Sequence, residues 1–427
     1  MKKIALILLL LTLISLSAAL TLDECIAKSL RHSGALRQAE IDLQQSDLQH
    51  QNSKYLFLPE FTLSSQAELY KPDQQALRHA LNLSQQISLF DERFSNLKNT
   101  KLEKELSTIT LQQRKNDLVV SIVQLYSDLL VSKKTLATHQ NSLQTYEKQQ
   151  RFISEMIKSG TKTELDLYSA QIERQNALLL IKQTEREIAA QINSLEFYTG
   201  YRAEINELTE FTLPLNQAIS ADSIENNADY LISQLKVTTA EVNQKKMRRD
   251  LLPKFSLQGS YQWLDSRIIN DGSQTFDSYG NLLELDSANS DWKISALVSY
   301  PLGSLLASRN SLASARFQTK KQKIALDDTS QELSNLLREY KLDFSLKQAE
   351  WEIYQEMNDF ATQKFRLAQA RYQSGLLDFL EFKNAEKEKS QSEIDLIKAQ
   401  YAAIISYIQL QKISGEKILG KYYSSCS

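Results

Sequence analysis

Long apolar runs are scarce in this sequence. After residue 20 no stretch approaches the about 20 apolar residues that a membrane-spanning helix needs. An α-helical inner-membrane protein is therefore excluded. Membrane-crossing β-strands are not, because each carries a far weaker signal. There are 2 cysteines, Cys25 and Cys426, near opposite ends of the chain. That number makes neither a disulfide framework nor a zinc site. One end-to-end bridge and two free thiols both remain compatible with an oxidising compartment. The four histidines, His32, His50, His79 and His139, include no i, i+4 pair of the kind that binds metal. His139 reads as a packed seam histidine. With only 4 methionines as well, dedicated export of a soft metal ion is disfavoured. Lys+Arg at 50 nearly balance Asp+Glu at 52, so nothing points to nucleic acid. No constellation of side chains supports catalysis or a bound cofactor, and no enzyme is expected.

Glycine and proline are also few, at 10 and 5 in 427 residues, and unevenly placed. Residues 91–159 contain neither, and residues 304–374 contain neither. Ordinary helices average about 12 residues. Uninterrupted helix over either stretch would be on the order of 100 Å long.

The N-terminus reads as an export signal. Lys2 and Lys3 are followed by an apolar run over residues 4–14 and by Ser17-Ala18-Ala19. The run is too short for an anchor, and the small residues suit a cleavage site near Ala19. No cysteine sits at that point, so a lipoprotein is not expected.

The chain is written twice. Leu58-Pro59-Glu60-Phe61-Thr62-Leu63 recurs as Leu252-Pro253-Lys254-Phe255-Ser256-Leu257, an offset of 194. Ser159-Gly160 recurs as Ser374-Gly375, an offset of 215, so about 21 residues are inserted between the landmarks of the second copy. The same 215 relates two seams of alternating 4 and 3 spacing. The first runs Leu118, Ile122, Leu125, Leu129, Ser132, Leu136, His139, Leu143, Tyr146, Gln150, Ile153, Ile157. The second runs Leu333, Leu337, Tyr340, Phe344, Lys347, Trp351, Tyr354, Asn358, Ala361, Phe365, Ala368, Tyr372. A period of 3.5 held this long asks for coiled-coil packing. The glycine stops then predict tight turns, each followed by an antiparallel return helix.

Between leading and long helices the period changes to two. Phe61, Leu63, Ser65, Ala67 and Leu69 alternate with polar residues, as do Leu81, Leu83, Gln85, Ile87 and Leu89. So do Phe255, Leu257, Gly259, Tyr261 and Trp263, and Trp292, Ile294, Ala296, Val298, Tyr300 and Leu302. These runs are strands of bilayer-crossing length, with aromatics near their ends. The first pair turns around Lys71-Pro72-Asp73, and the second crosses the polar stretch 265–291. Four strands cannot close a barrel, and an open edge is not tolerated in lipid. Two copies would supply eight strands and three would supply twelve.

The predicted fold class is therefore mainly α with a small β part: duplicated helical coiled-coil hairpins forming a tunnel, plus four membrane-crossing strands per chain contributing to an oligomeric barrel. The expected organisation begins with a signal peptide at 1–19. A first repeat follows over 20–213, with a leading helix about 22–54, strands about 59–90, a long helix about 91–158 and a return helix about 163–198. The second repeat covers 214–418, with a helix about 221–250, strands about 253–302, a long helix about 304–373 and a return helix about 378–413. A tail at 419–427 ends the chain.

In this layout the chain resembles the TolC-like outer-membrane efflux proteins, over about residues 20–416. The resemblance rests on the doubled plan, on Leu-Pro-Glu-Phe and Leu-Pro-Lys-Phe opening a strand, and on Tyr300-Pro301-Leu302 closing one. It rests also on Arg371-Tyr372-Gln373-Ser374-Gly375 followed by Leu380-Glu381-Phe382 and Ala385. It implies an exit duct in the outer membrane with a periplasmic tunnel, serving efflux or type I secretion. It implies a homotrimer that meets outer-membrane lipid and docks to a periplasmic adaptor and an inner-membrane transporter. Both chain ends would lie near an equatorial domain, where Cys25 and Cys426 could meet. The turns at Ser159-Gly160 and Ser374-Gly375 would form the periplasmic tip, and the gate would lie just past them. Glu381 occupies the family's first acidic ring position, Asn384 replaces the second acid, and Asp378 could add a ring. Tyr372 and Asp166 match a pair that holds the gate closed, whereas Leu377 stands where the family carries an arginine. The competing reading is a periplasmic adaptor or scaffold with the same hairpins, which would not repeat strand pairs twice.

Overall fold

The computed structural model describes residues 20–71, 74–89, 92–158, 162–212, 223–269, 287–300 and 302–415. The expected signal peptide, Pro72 and Asp73, the first tip turn at Ser159 and Gly160, the 270–286 stretch, Pro301 and the tail with Cys426 lie outside them. The described chain forms two compact units.

One unit comprises Ile41–Ile109 and Ile232–Asp328. Its strands are β1 (Glu60–Lys71), β2 (Gln74–Leu89), β3 (Lys254–Ile269) and β4 (Ser287–Ser299). They form one sheet in the order β1-β2-β3-β4, antiparallel throughout. The two copies are thus joined by the β2–β3 ladder. β3 and β4 also reach further into the polar 265–291 stretch than the alternation of apolar residues indicates. β2 is the reason for β3: it is 16 residues long and goes on pairing, Leu77 with Arg267 and Gln75 with Ile269.

Register puts Phe61, Leu83, Tyr261 and Trp292 in one row across all four strands. With period two, that face also carries Leu63, Leu81, Phe255, Leu257, Trp263, Ile294 and Val298. The other face carries Ser64, Asn82, Ser84, Ser256, Ser260, Lys293 and Ser295. A sheet that shows a mainly apolar face to its surroundings, with Trp292 71 % and Ile294 67 % exposed, is built for a non-aqueous neighbour.

The helices of this unit pack through small residues. Ser46, Ser53, Ser95, Ala240 and Thr319 are buried between them. Polar cross-links fix the neighbours: Ser53 Oγ to Thr100 Oγ1 at 2.9 Å, Asn99 Nδ2 to Asn243 Oδ1 at 2.9 Å, and Lys323 to Glu241 at 2.9 Å.

The other unit contains residues up to Glu40, Thr110–Leu231 and the chain from Thr329. The predicted leading helix is two helices, α1 (Leu22–His32) and α2 (Gly34–Tyr55). Ser33 breaks it, because its hydroxyl accepts from the Leu36 N–H at 3.3 Å and caps a new start. The long helices are α3 (Glu92–Lys158) and α6 (Leu305–Gln373), and the return helices are α4 (Glu164–Thr199) and α7 (Phe379–Ile413). The helix between the repeats, α5 (Ala228–Arg249), starts later than 221. Asn227 caps it, its Oδ1 accepting from Asp229 N at 2.8 Å.

None of the seam positions in α3 or α6 is exposed. The main core gathers Cys25 and Ile26 of α1, Val119, Ile122, Tyr126 and Leu129 of α3, Leu195 of α4, and Tyr401, Ile404 and Ile408 of α7. Cys25 is fully buried, and burial pushes its thiol up to about 12. Leu20 pairs with Leu208 as a parallel bridge against this core.

Candidate functional site

A second cluster forms where the two hairpins turn. Ile153 at the end of α3, Ala170 at the start of α4, Tyr372 at the end of α6, and Phe379 and Phe382 at the start of α7 are all buried together. The ends of α3 and α6 and the starts of α4 and α7 therefore lie together in this unit.

Local chemistry shapes each turn. α4 begins with a capping box: the Asp166 N–H donates to Thr163 Oγ1 at 3.4 Å, and Asp166 Oδ2 accepts from Thr163 N at 3.1 Å and from its hydroxyl at 3.0 Å. α6 ends in a Schellman turn, in which Leu376 N donates to Arg371 O at 2.9 Å and Gly375 N to Tyr372 O at 3.1 Å. Gly375 has φ +72°, which only glycine adopts without strain. Asp378 then caps α7, its Oδ1 accepting from Glu381 N at 2.8 Å.

Tyr372 is fully buried and stacked on Phe382 with ring centroids 5.0 Å apart, while Phe152 and Phe379 lie at 5.9 and 6.1 Å. Lys162 Nζ sits 5.1 Å from the same ring centroid. Among the described residues the Tyr372 hydroxyl has no hydrogen-bond partner. Burial, with the Asp166 charge adding to it, pushes this hydroxyl up to about 12. The carboxylate of Asp166 is taken by Thr163, so the two are neighbours without a direct bond. Leu377, where the resemblance would have an arginine, packs against this aromatic cluster. Glu381 is exposed and makes no ion pair among the described residues.

One group was visible in the sequence only through Tyr146, a seam position, with Glu173 and Glu386 unmarked. Tyr146 of α3, Glu173 of α4 and Glu386 of α7 are 3 %, 6 % and 4 % exposed. The Tyr146 hydroxyl donates to Glu386, as does Ser390 Oγ at 2.8 Å, and Ser390 is 2.9 Å from Ser142 Oγ. Lys383 and Lys387 hold Glu173 at 3.3 and 3.0 Å. The available signal was an acid at 386 continuing the spacing of Phe379 and Phe382. His139, nearby, is half-buried; burial lowers its pKa and the Glu386 charge opposes this. Among the described residues no group of His, Cys, Asp and Glu is placed to hold a metal ion.

Two coiled-coil hairpins and a four-stranded sheet with one apolar face make a distinctive pair. The profile described as outer membrane efflux protein matches residues 25–201 and 219–416. The chain belongs to the outer membrane efflux protein family. Membership makes it an outer-membrane efflux protein. It is 24 % identical to the solvent efflux pump outer membrane protein SrpC of Pseudomonas putida over 338 residues, 76 % of this chain and 67 % of that one. The fold is similar to the outer membrane protein VceC of Vibrio cholerae, with a TM-score of 0.75 and 16 % identity, covering 92 % of this chain and 96 % of that. It is similar also to the CmeC outer membrane channel of Campylobacter jejuni, with a TM-score of 0.75 and 15 % identity over 95 % and 90 % of the two chains.

Proposed function

We propose that three copies of this chain assemble into a passive exit duct of an efflux or type I secretion system. The carrying observation is the two-faced sheet whose edge strands, β1 and β4, have no neighbour among the described residues. In lipid such edges must be paired, and strands of further copies supply the partners. Three copies give twelve strands, with the apolar face toward lipid and the serine-rich face toward the lumen.

The helices support the same assembly. α6 exposes Leu342, Leu346, Ile353, Phe360 and Leu367, and α4 exposes Leu165, Tyr168, Ile172 and Leu179. Both stripes keep coiled-coil spacing and want a neighbouring helix. The hairpin turns, at Ser159-Gly160 and Ser374-Gly375, form the periplasmic tip that meets an adaptor and, through it, an inner-membrane transporter. Glu381 lines the narrow end and, repeated around the axis, favours cations. Asp378 adds charge there while it caps α7. Asp166 and Tyr372 stand behind the constriction and position it. The duct carries out no covalent chemistry and needs no cofactor.

Purified protein in planar lipid bilayers tests this reading, together with light scattering for the oligomer. Cation-selective single-channel steps from a trimer are expected. A monomer confined to the soluble fraction, without conductance, would sink it.

A further inference from the structure

A cleft of about 620 Å³ lies among α3, α4 and α7. Its volume falls within the roughly 300–1,000 Å³ usual for small-molecule sites. Its apolar lining includes Ala177 and Leu180 of α4 and Ile394 of α7. Ala177 and Ile394 are buried, whereas Leu180 is 42 % exposed and stands at the rim. Polar groups converge on the same space from three helices: His139 and Tyr146 of α3, Glu173 of α4 and Glu386 of α7. An apolar cleft with a few converging polar groups is the usual build of a ligand site.

The charges decide which ligand. Three acids line the cleft, Glu173, Glu386 and Glu388, against one base, Lys387. Two of the acids are already met by cations. Lys383 and Lys387 hold Glu173 at 3.3 and 3.0 Å, and Lys364 holds Glu388. The next lysine along α7, Lys389, is taken by Glu393 at 2.9 Å. Glu386 is 4 % exposed and has no cation partner among the described residues. It accepts only from two neutral hydroxyls, those of Tyr146 and Ser390. These fill about two of the four lone-pair positions a carboxylate offers. His139 does not supply the missing charge, because burial lowers its pKa and leaves the ring neutral at neutral pH. A buried carboxylate without a counter-charge is unfavourable, and a bond from an ammonium group is about twice as strong as one from a neutral donor. A bare metal ion does not suit the place, since no group of His, Cys, Asp and Glu among the described residues is arranged to hold one. An anionic ligand would meet Glu386 with like charge.

We propose that this cleft binds an amphipathic organic cation, a primary amine with an apolar body, whose ammonium group donates to Glu386 while the body lies along Leu180 and Ile394. The ammonium provides the charge that Glu386 lacks, and the body covers apolar surface at the rim. The inference is independent of the duct reading above.

Isothermal titration of the purified full-length protein tests it. The probe is phenylbutylammonium, and phenylbutanol and phenylbutyrate are controls with the same apolar body. Titrations into protein-free detergent remove the heat of partition into micelles. Saturable binding of the ammonium is expected, about tenfold tighter than that of the alcohol, with the carboxylate weaker still. Glu386→Gln keeps the shape of the side chain and should weaken the ammonium by about tenfold while leaving the alcohol unchanged. Leu180→Ser removes apolar surface at the rim and should weaken ammonium and alcohol together, by about fivefold. No saturable binding to the folded wild type, or equal binding of all three probes, would overturn the site. So would an affinity for the ammonium that Glu386→Gln leaves intact. If Glu386→Gln does not fold, the three probes on the wild type and on Leu180→Ser still decide. A protein that binds the amine but conducts no ions upholds this site and sinks the duct.

Discussion

The hydroxyl of Tyr126 donates to the carbonyl of Leu20 at 2.8 Å, and the same oxygen accepts from Thr209 N at 3.0 Å. One buried phenol in α3 thereby fastens two stretches of chain, before α1 and after α4, to the main core. Tyr126→Phe keeps the ring and strands both backbone groups. A loss of about 1–3 kcal/mol is expected, the cost of leaving buried backbone groups unpaired. Thermal unfolding of the variant would show it, and an unchanged midpoint would mean that water replaces the phenol.

Tyr372 should behave in the opposite way. Its hydroxyl has no partner among the described residues, so Tyr372→Phe is expected to be neutral or slightly stabilising. Tyr372→Ala removes a fully buried ring from the aromatic cluster and should cost ~3–5 kcal/mol. Denaturant titration of both variants separates packing from hydrogen bonding. If Tyr372→Phe proves as harmful as Tyr372→Ala, the hydroxyl has a partner after all.

Charge and capping can be pulled apart at the start of α7. Glu381→Gln should lower cation selectivity with no effect on stability, since the side chain is exposed. Asp378→Asn keeps a good helix cap and removes only the charge, whereas Asp378→Ala removes the cap as well and should cost ~1 kcal/mol. Reversal potentials in a salt gradient give selectivity, and unfolding curves give the cap. Unchanged selectivity in Glu381→Gln/Asp378→Asn would refute an acidic constriction.

Glu173 predicts a pH dependence. Burial pushes its pKa up, but the hydrogen bonds and charges of Lys387 and Lys383 pull it down further, to below the ordinary 4.5. A carboxylate lowered on folding stabilises the fold above its unfolded value, and that contribution is lost as pH falls through the folded value. The wild type should therefore lose stability on acidification below about 4.5, and Glu173→Gln should lose less over the same range. Unfolding midpoints followed from neutral into acid check the difference. Parallel curves for the two proteins would show that Glu173 is not the group that matters.

Periodicity made the large features readable. The 215-residue echo between Ile153 and Ala368, or Ile157 and Tyr372, carries the whole hairpin plan, because a coiled coil repeats its packing chemistry every heptad. The alternation from Phe61 and from Phe255 carries the strands for the same reason. Local and long-range hydrogen bonds were harder to see. Ser33 and Asn227 cut helices by bonding to backbone N–H groups, and nothing in apolar spacing marks which polar residue will do so. The pairing of β2 with β3 depends on tertiary fold, not on either strand. The cross-hairpin bonds of Glu173 and Glu386 are hidden likewise, since a charged residue on a long helix reads as solvent-facing until its partner helix is placed.

The β2–β3 ladder has a consequence for how the chain acquires its structure. β1 and β2 are adjacent in sequence and can pair early. β3 arrives only after the complete first hairpin and α5 have been made. Contacts between such distant segments cost more loop entropy and form slowly. Until then the β1–β2 hairpin waits with an unpaired edge and an apolar face uncovered, the state in which strands pair with wrong neighbours. The sheet is thus open to mispairing until β3 is made, whereas the first helical hairpin is complete in sequence before β3 begins.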